Sequence, residues 1–204
     1  ALHLLGMEAV EVPTGPSCRL TAGAIRAAVG DRRDIAAVCA AGGSTNAGIV
    51  DDLAGCADVA GELDAWLHVD GAYGAAAVLT ERGRLALRGL ERADSITLDP
   101  HKWLFQAYDI GGLMVKRRAD LKATFHRAPE YYRTSRPEEE PLNWYQYSFE
   151  GTRRFRGLKL WLSWKHLGSD GFGRLVEAND DLAAHLAGRI AASEDFEAVT
   201  PVPD

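Results

Sequence analysis

The sequence lacks a long hydrophobic run. Its 204 residues are 47% hydrophobic and 25% charged, yet no apolar stretch approaches the ~18 residues that a membrane-spanning helix needs. Its first residues do not have the pattern of a signal peptide. We therefore expect a soluble globular chain, large enough for one sizeable domain, that lies in the cytoplasm and has no membrane partner.

Cysteine is scarce, and the histidines are scattered. Cys18, Cys39 and Cys56 are odd in number and do not have the spacing of metal ligands. They are typical of free thiols in a reducing compartment. None of the six histidines forms a convincing metal-binding pair, so we expect no metal site.

The chain also lacks an excess of positive charge. Its formal net charge is −6, which is not the electrostatic pattern of a protein that binds a phosphate backbone. Arg153, Arg154 and Arg156 are therefore interpreted as structural or interface residues, and no nucleic acid partner is expected. The glycines around Gly42 and Gly111 form no Gly-x-Gly-x-x-Gly turn, which argues against a dinucleotide site.

Lys102 is the first candidate for chemistry. The run from Ser95 to Leu98 alternates polar and apolar residues and is soon followed by Pro100, which predicts a strand that ends in a loop. Ligands bind at this carboxyl edge in open α/β sheets. A partly desolvated lysine there can lose its proton and attack an aldehyde. The ordinary alternative is a solvated loop lysine.

A second apolar run, from Trp66 to Val69, ends at Asp70. A predicted helix from Glu81 to Leu90 connects it to the strand before Lys102. Because a strand, a crossover and a strand give parallel neighbours, we expect Asp70 and Lys102 at the same edge. A carboxylate at this edge can keep the pyridine nitrogen of a bound ligand protonated. The alternative for Asp70 is a helix cap, and His68 is interpreted as a hydrogen-bonded core histidine.

Six motifs follow one another in an order and spacing that resembles the group II pyridoxal phosphate-dependent decarboxylases, the family of aromatic L-amino acid decarboxylase. The resemblance runs from Ala1 almost to the end of the chain. The motifs are Gly43-Ser44-Thr45-Asn46, the acidic Asp51, His68 to Tyr73, Asp99 to Trp103, Pro129 to Tyr131 and Arg153 to Trp161.

The resemblance implies an α/β chain with the type I, aspartate aminotransferase-like fold of pyridoxal phosphate-dependent transferases. Its large domain has a mostly parallel sheet flanked by helices. Residues 1–150 are expected to form the central part of this domain, with the lysine loop and the catalytic loop. Residues 151–204 are expected to form a helical segment that leads to a missing C-terminal small domain. We therefore expect a fold that is incomplete at both ends.

The resemblance also implies a cofactor, pyridoxal 5′-phosphate (PLP), and roles for single residues. Lys102 would carry the cofactor as a Schiff base. Asp70 would pair with the pyridinium nitrogen, and Ala72 would lie against one face of the ring. His101 would contact the phosphate or handle protons, and Thr45 would lie near the ring or the substrate carboxylate.

Asp99 stands where the family often has asparagine. A carboxylate repels a phosphate unless another group lies between them. Asp99 is therefore a cofactor-site candidate whose direct contact with the phosphate would require such a group.

The implied activity is PLP-dependent decarboxylation of an L-amino acid, aromatic by the resemblance, to the amine and CO2. The protonated pyridine ring absorbs the carbanion that loss of CO2 leaves. Trp103 is more typical of the aromatic branch than of the glutamate branch. Tyrosine, tryptophan, dihydroxyphenylalanine, phenylalanine and small acidic substrates all stay open.

Two other functions stay open. One is a catalytically silent scaffold that keeps the fold for dimerisation, although retention of Lys102 and Asp70 argues against it. The other is a different reaction on the same fold, such as transamination or aldehyde formation. The family is dimeric, so the resemblance implies a homodimer.

The rest of the pattern predicts alternating helices and strands, then a long active-site loop. We expect strands from Met7 to Val12, Ile35 to Ala40 and Ile110 to Lys116, helices from Thr21 to Val29 and Asp51 to Asp64, an irregular segment from Ala119 to Pro141, and two helices beyond Phe155.

Tyr131 matches the loop tyrosine that the family uses to protonate the carbanion. Aldehyde-forming relatives carry phenylalanine there, so we predict that Tyr131→Phe diverts product from amine toward aldehyde. Product analysis of the variant tests this, and an unchanged yield of amine would refute the role of Tyr131.

Overall fold

The computed structural model describes residues 2–126 and 143–200. Its sheet has four strands in the spatial order β1-β2-β3-β4. The strands are β1 (Ala37–Ala41), β2 (Trp66–Asp70), β3 (Ser95–Leu98) and β4 (Gly112–Val115). The first three run parallel and β4 runs antiparallel to β3. This mostly parallel sheet confirms the predicted α/β class.

The described residues contain five α-helices. They are α1 (Ala22–Val29), α2 (Leu53–Glu62), α3 (Glu81–Ala86), α4 (Arg118–Phe125) and α5 (Gly157–Ala191). Three of them begin at side-chain caps, in which Thr21, Asp52 and Thr80 accept hydrogen bonds from the backbone N–H of Ala24, Gly55 and Gly83. Such caps satisfy N–H groups that the first helical turn leaves unpaired.

The core lies on one face of the sheet. Val38 of β1 lies opposite Leu67 of β2 in the parallel register. Because side chains alternate along a strand, both residues point to the face that the helices cover. Leu67, Val69 and Leu53 are each at most 2% exposed. Burial of the apolar positions on β2 therefore leaves the intervening residues, including Asp70, on the opposite side.

Helix α5 changes direction at Gly168, whose φ of 66° and ψ of 178° are not helical. This confirms two helices beyond Phe155. The second half buries Phe172 and Val176 completely. Phe172 packs with Ala76 and Leu104, so this helix supports the chain segments that follow β2 and β3.

The predicted strand from Met7 to Val12 is wrong, because these residues form no regular element. Alternating apolar residues indicate one-sided burial, but a strand also needs a hydrogen-bonded neighbour. In the described chain β1 pairs with β2 alone, so this segment does not extend the sheet.

Two other boundaries differ from prediction. The helix expected from Glu81 to Leu90 ends at Ala86, and Gly89 then takes a φ of 101°. A Cβ on Gly89 would collide with the backbone of α2 at Ala54, so the close approach of two elements ends this helix. The expected irregular segment begins with helix α4, and residues 127–142 lie outside the described chain.

In the part of the chain that the structure describes, no helix is long and apolar enough to cross a membrane. The division expected at residue 150 stays a prediction.

A substitution at Gly74 can test how closely the loop after β2 approaches the loop after β1. A Cβ at Gly74 would collide with the carbonyl oxygen of Gly42, whereas a Cβ at Gly61 in α2 would meet no atom within 4 Å. We expect Gly74→Ala to destabilise the intact protein by about 1–3 kcal/mol. The control, Gly61→Ala, should be neutral or stabilise by up to about 1 kcal/mol. Thermal or denaturant unfolding measures both, and equal stabilities would contradict the close approach.

Candidate active site

Asp70 is the last residue of β2 and lies opposite Thr97 of β3. Thr97 Oγ1 donates a hydrogen bond to Asp70 Oδ1 over 2.9 Å. The N–H of Ala72 donates to the same oxygen over 3.1 Å. The residue is otherwise exposed. These neutral donors orient the carboxylate while leaving it accessible.

Lys102 lies in the loop after β3, at the same edge of the sheet. The N–H of Asp99 donates to the carbonyl of Ala72 over 3.2 Å, which ties the loop after β3 to the loop after β2. The N–H of Lys102 donates to the carbonyl of Asp99 over 2.9 Å and closes a tight turn. The structure therefore brings Asp70, at the end of β2, and Lys102, in the loop after the adjacent parallel strand β3, to one edge of the sheet, as expected.

The side chains of this turn form a charged cluster. Lys102 Nζ lies 3.1 Å from Asp99 Oδ2, and His101 Nε2 lies 3.7 Å from the same oxygen. His101 Nδ1 is hydrogen-bonded to the carbonyl of Ile110. A carbonyl oxygen only accepts, so Nδ1 donates and Nε2 faces Asp99. The ring of Tyr108 lies against His101 with centroids 4.2 Å apart.

Small and aromatic residues complete the edge. Ala72 is half-buried between the loops. The rings of Tyr73 and Trp103 pack with centroids 4.9 Å apart and thereby link the motif after β2 to the one after β3. Thr45 is exposed in the turn that follows β1. Tyr131, the predicted catalytic tyrosine, lies outside the described residues.

Asp51 holds the turn after β1 in place. Its Oδ1 accepts from the N–H of Leu20 over 2.7 Å, and its Oδ2 accepts from the N–H of Ala41 over 2.6 Å. This uses both carboxylate oxygens to join β1 to the chain before α1. Asp51 therefore has a structural role that its place in a motif does not reveal.

Two contacts at the candidate site are not predicted by the local sequence pattern. The pattern places Thr97 only in a strand, although its position opposite Asp70 in a parallel pair indicates the contact. The contact of Tyr108 with His101 depends on how the loop before β4 folds. The hydrogen bond expected for His68 is present, from Nδ1 to Ser95 Oγ over 2.8 Å, but the core position is wrong. His68 is half-buried on the face of β2 opposite Leu67 and Val69.

The three cysteines are free thiols, as expected. Cys56 is fully buried, and burial, with smaller contributions from Asp51 and Asp52, raises the pKa of its thiol to about 12. Such a thiol is inert at neutral pH. The described residues contain no group of three or more His, Cys, Asp or Glu side chains that could hold a metal ion.

Comparison with known proteins decides the family. The model of the pyridoxal-dependent decarboxylase conserved domain matches residues 2–203. The chain belongs to the pyridoxal-dependent decarboxylase family. The family that the motifs predicted is therefore confirmed.

Individual relatives in this decarboxylase family include two curated bacterial enzymes. The aromatic-L-amino-acid decarboxylase of Bacillus atrophaeus is 44% identical over 165 residues, which cover 80% of this chain and 34% of that protein. The L-2,4-diaminobutyrate decarboxylase of Acinetobacter baumannii is 34% identical over 164 residues, which cover 80% of this chain and 32% of that protein. The chain thus spans about a third of the length of these relatives.

The fold expected for the decarboxylase family is also confirmed. The crystal structure of Oryza sativa TDC with PLP and tryptamine is 28% identical to the chain and superposes with a TM-score of 0.88. The match covers 98% of this chain and 43% of that one. The described residues therefore have the backbone arrangement of one part of a PLP-dependent decarboxylase fold.

Asp51 provides a test of the turn beside the site. An asparagine keeps one acceptor oxygen but turns an NH2 group toward the second backbone N–H, so Asp51→Asn should destabilise the intact protein by about 1–3 kcal/mol. The matched control is Asp31→Asn, at an exposed position between α1 and β1, which should leave stability unchanged. Denaturant unfolding compares the two. Similar midpoints for both variants would show that the Asp51 bonds do not support the turn.

Proposed function

We propose that the protein containing this chain decarboxylates an L-amino acid with PLP bound at Lys102. One observation carries the proposal. An exposed carboxylate at the end of β2 and a half-exposed lysine in the loop after the adjacent parallel strand β3 lie at one sheet edge, where the loops after the two strands are hydrogen-bonded to each other.

The residues at this edge fit the cofactor. PLP offers an aldehyde, a pyridine nitrogen and a phosphate. Lys102 supplies an amine for the aldehyde, and Asp70 supplies an anion for the ring nitrogen. When bound, PLP supplies the conjugated electron sink that makes loss of CO2 from an amino acid possible.

Asp70 is suited to hold a cationic ring nitrogen. Thr97 and the N–H of Ala72 fix its Oδ1 atom without neutralising the charge. An opposite charge within ~4–6 Å favours the charged form of a pyridine nitrogen. Asp70 therefore orients the ring and keeps its nitrogen protonated, while the small Ala72 leaves room for a flat ring beside it.

His101 is suited to meet the phosphate or to move a proton. Its Nδ1 is fixed by Ile110, so Nε2 is the nitrogen available on the site side. Asp99 is in contact with Lys102 and His101, and these two side chains are the groups that would separate its carboxylate from a phosphate. Thr45, on the turn after β1, stays a candidate contact to the ring or the substrate carboxylate.

We infer an aromatic amino acid as the substrate, for which the 44% identity to the Bacillus atrophaeus enzyme is the support. The diaminobutyrate enzyme at 34% identity is the main competitor. Tyr131 remains our candidate for protonating the product carbon. A homodimer and the division into residues 1–150 and 151–204 complete the proposal and rest on the family resemblance. A cytoplasmic location is proposed from the free cysteines, which are typical of a reducing compartment.

Lys102→Ala tests the proposed function. The intact protein is incubated with PLP, treated with borohydride and digested, and we expect the reduced cofactor on the peptide that carries Lys102. Lys102→Ala should lose this adduct and all release of CO2 from aromatic amino acids. The control, Lys116→Ala, removes an exposed lysine just after β4 and should keep both.

Three results would overturn this assignment. An adduct elsewhere in the chain would remove Lys102 from the role. Absence of any adduct in the native protein would favour a catalytically silent scaffold, and an adduct without CO2 release from any amino acid would favour another PLP reaction.

A further inference from the structure

Asp99 contacts the nitrogen that the proposed function uses. Its Oδ2 lies 3.1 Å from Lys102 Nζ, and the two side chains are 25% and 35% exposed. Within residues 2–126 and 143–200, Asp99 is the one carboxylate that makes an ion pair with Lys102. A lysine that carries no cofactor therefore has a defined resting position.

The backbone keeps the two side chains together. The turn from Asp99 to Lys102 is closed by its own hydrogen bond, and the N–H of Asp99 is held by the carbonyl of Ala72. Because the turn is fixed at both ends, the carboxylate stays beside the lysine whichever bond Nζ makes.

We propose that Asp99 is a positioning residue that holds the free ammonium of Lys102 whenever Nζ is not bonded to the cofactor. This rests on the proposed function. In each turnover the substrate nitrogen replaces Nζ on the aldehyde carbon, so that one C–N bond forms and the C–N bond to Lys102 breaks. The two hydrogens of the entering amine end on Nζ, and a proton from solvent completes the ammonium.

The contact between Asp99 and Lys102 favours one direction of the exchange between the lysine and the substrate amine. A neighbouring carboxylate favours the ammonium form of a lysine, and an ammonium has no lone pair with which to attack. While Asp99 holds it, Lys102 does not add back to the carbon that it has left. Asp99 therefore favours the state with substrate bound over the state with lysine bound.

His101 lies beside the same carboxylate. Its Nε2 is 3.7 Å from Asp99 Oδ2. Tyr108 and the carbonyl of Ile110 keep the imidazole in this place. The wall of the turn beside Asp99 is therefore fixed whichever bond Lys102 Nζ makes.

Labelling of the cofactor-free intact protein tests the contact directly. With trace acetic anhydride, peptide mass spectrometry gives the ratio of acetylation at Lys102 to that at the exposed Lys116. We expect Asp99→Asn to raise this ratio about threefold, the range of a partly exposed ion pair. The control, Asp120→Asn, breaks the ion pair of Asp120 with Arg117 and should leave the ratio unchanged.

Steady-state kinetics test the bias during turnover. Asp99→Asn should raise KM for the amino acid about threefold with kcat nearly unchanged, because only the exchange equilibrium shifts. Asp99→Glu restores the charge and should return both the labelling ratio and KM toward the native values. A purely structural role for Asp99 would not give this recovery.

The labelling result does not depend on cofactor attachment. If the native protein forms no adduct at Lys102, the proposed function fails, while the ratio still reports on the Asp99 contact. An unchanged ratio in a folded Asp99→Asn protein overturns the positioning role. If Asp99→Asn does not fold, Asp99→Glu decides: a native ratio supports the proposal and a raised ratio overturns it.

Discussion

Parallel pairing of β2 with β3 is the constraint on which the site depends. It sets Asp70 opposite Thr97 and brings the following loops close enough for the N–H of Asp99 to bond the carbonyl of Ala72. A shift of one residue would turn every β2 side chain to the other face. The apolar residues Leu67 and Val69 prevent this shift, since they would then leave the core. Burial on one face therefore determines where Asp70 points.

Apolar packing supports the loop after β3, which carries Lys102. Leu104, two residues after Lys102, is 3% exposed and packs against the fully buried Phe172 of helix α5 and against Ala76. The segment that follows β2 packs on the same helix, so a single buried cluster supports both loops. Lys102 can then remain half-exposed and Asp70 exposed, because the buried cluster keeps the two loops ordered.

The sequence was sufficient for those features that depend on local pattern. The strand ending before Lys102, the strand ending at Asp70 and the crossover between them follow from alternation and from turn residues, and they place both side chains at one edge. Features that depend on long-range packing were not predictable. The end of α3 depends on the approach of Gly89 to α2, and the two bonds of Asp51 join segments whose proximity no local pattern encodes.

The two carboxylates at this edge differ in how their charge is balanced. In the described chain the contacts to Asp70 come from neutral donors, the Thr97 hydroxyl and the Ala72 N–H. Asp99 instead faces Lys102 and His101. A partly exposed carboxylate held only by neutral donors keeps its full charge for a cationic group from outside. Lys102 balances the negative charge of Asp99, so Asp99 is a partner for the protein's own lysine. Asp70 has no such cation beside it in the described chain, so its carboxylate can bind a ligand. Two residues of the same type, one at the end of β2 and one just after β3, are in this way suited to different partners.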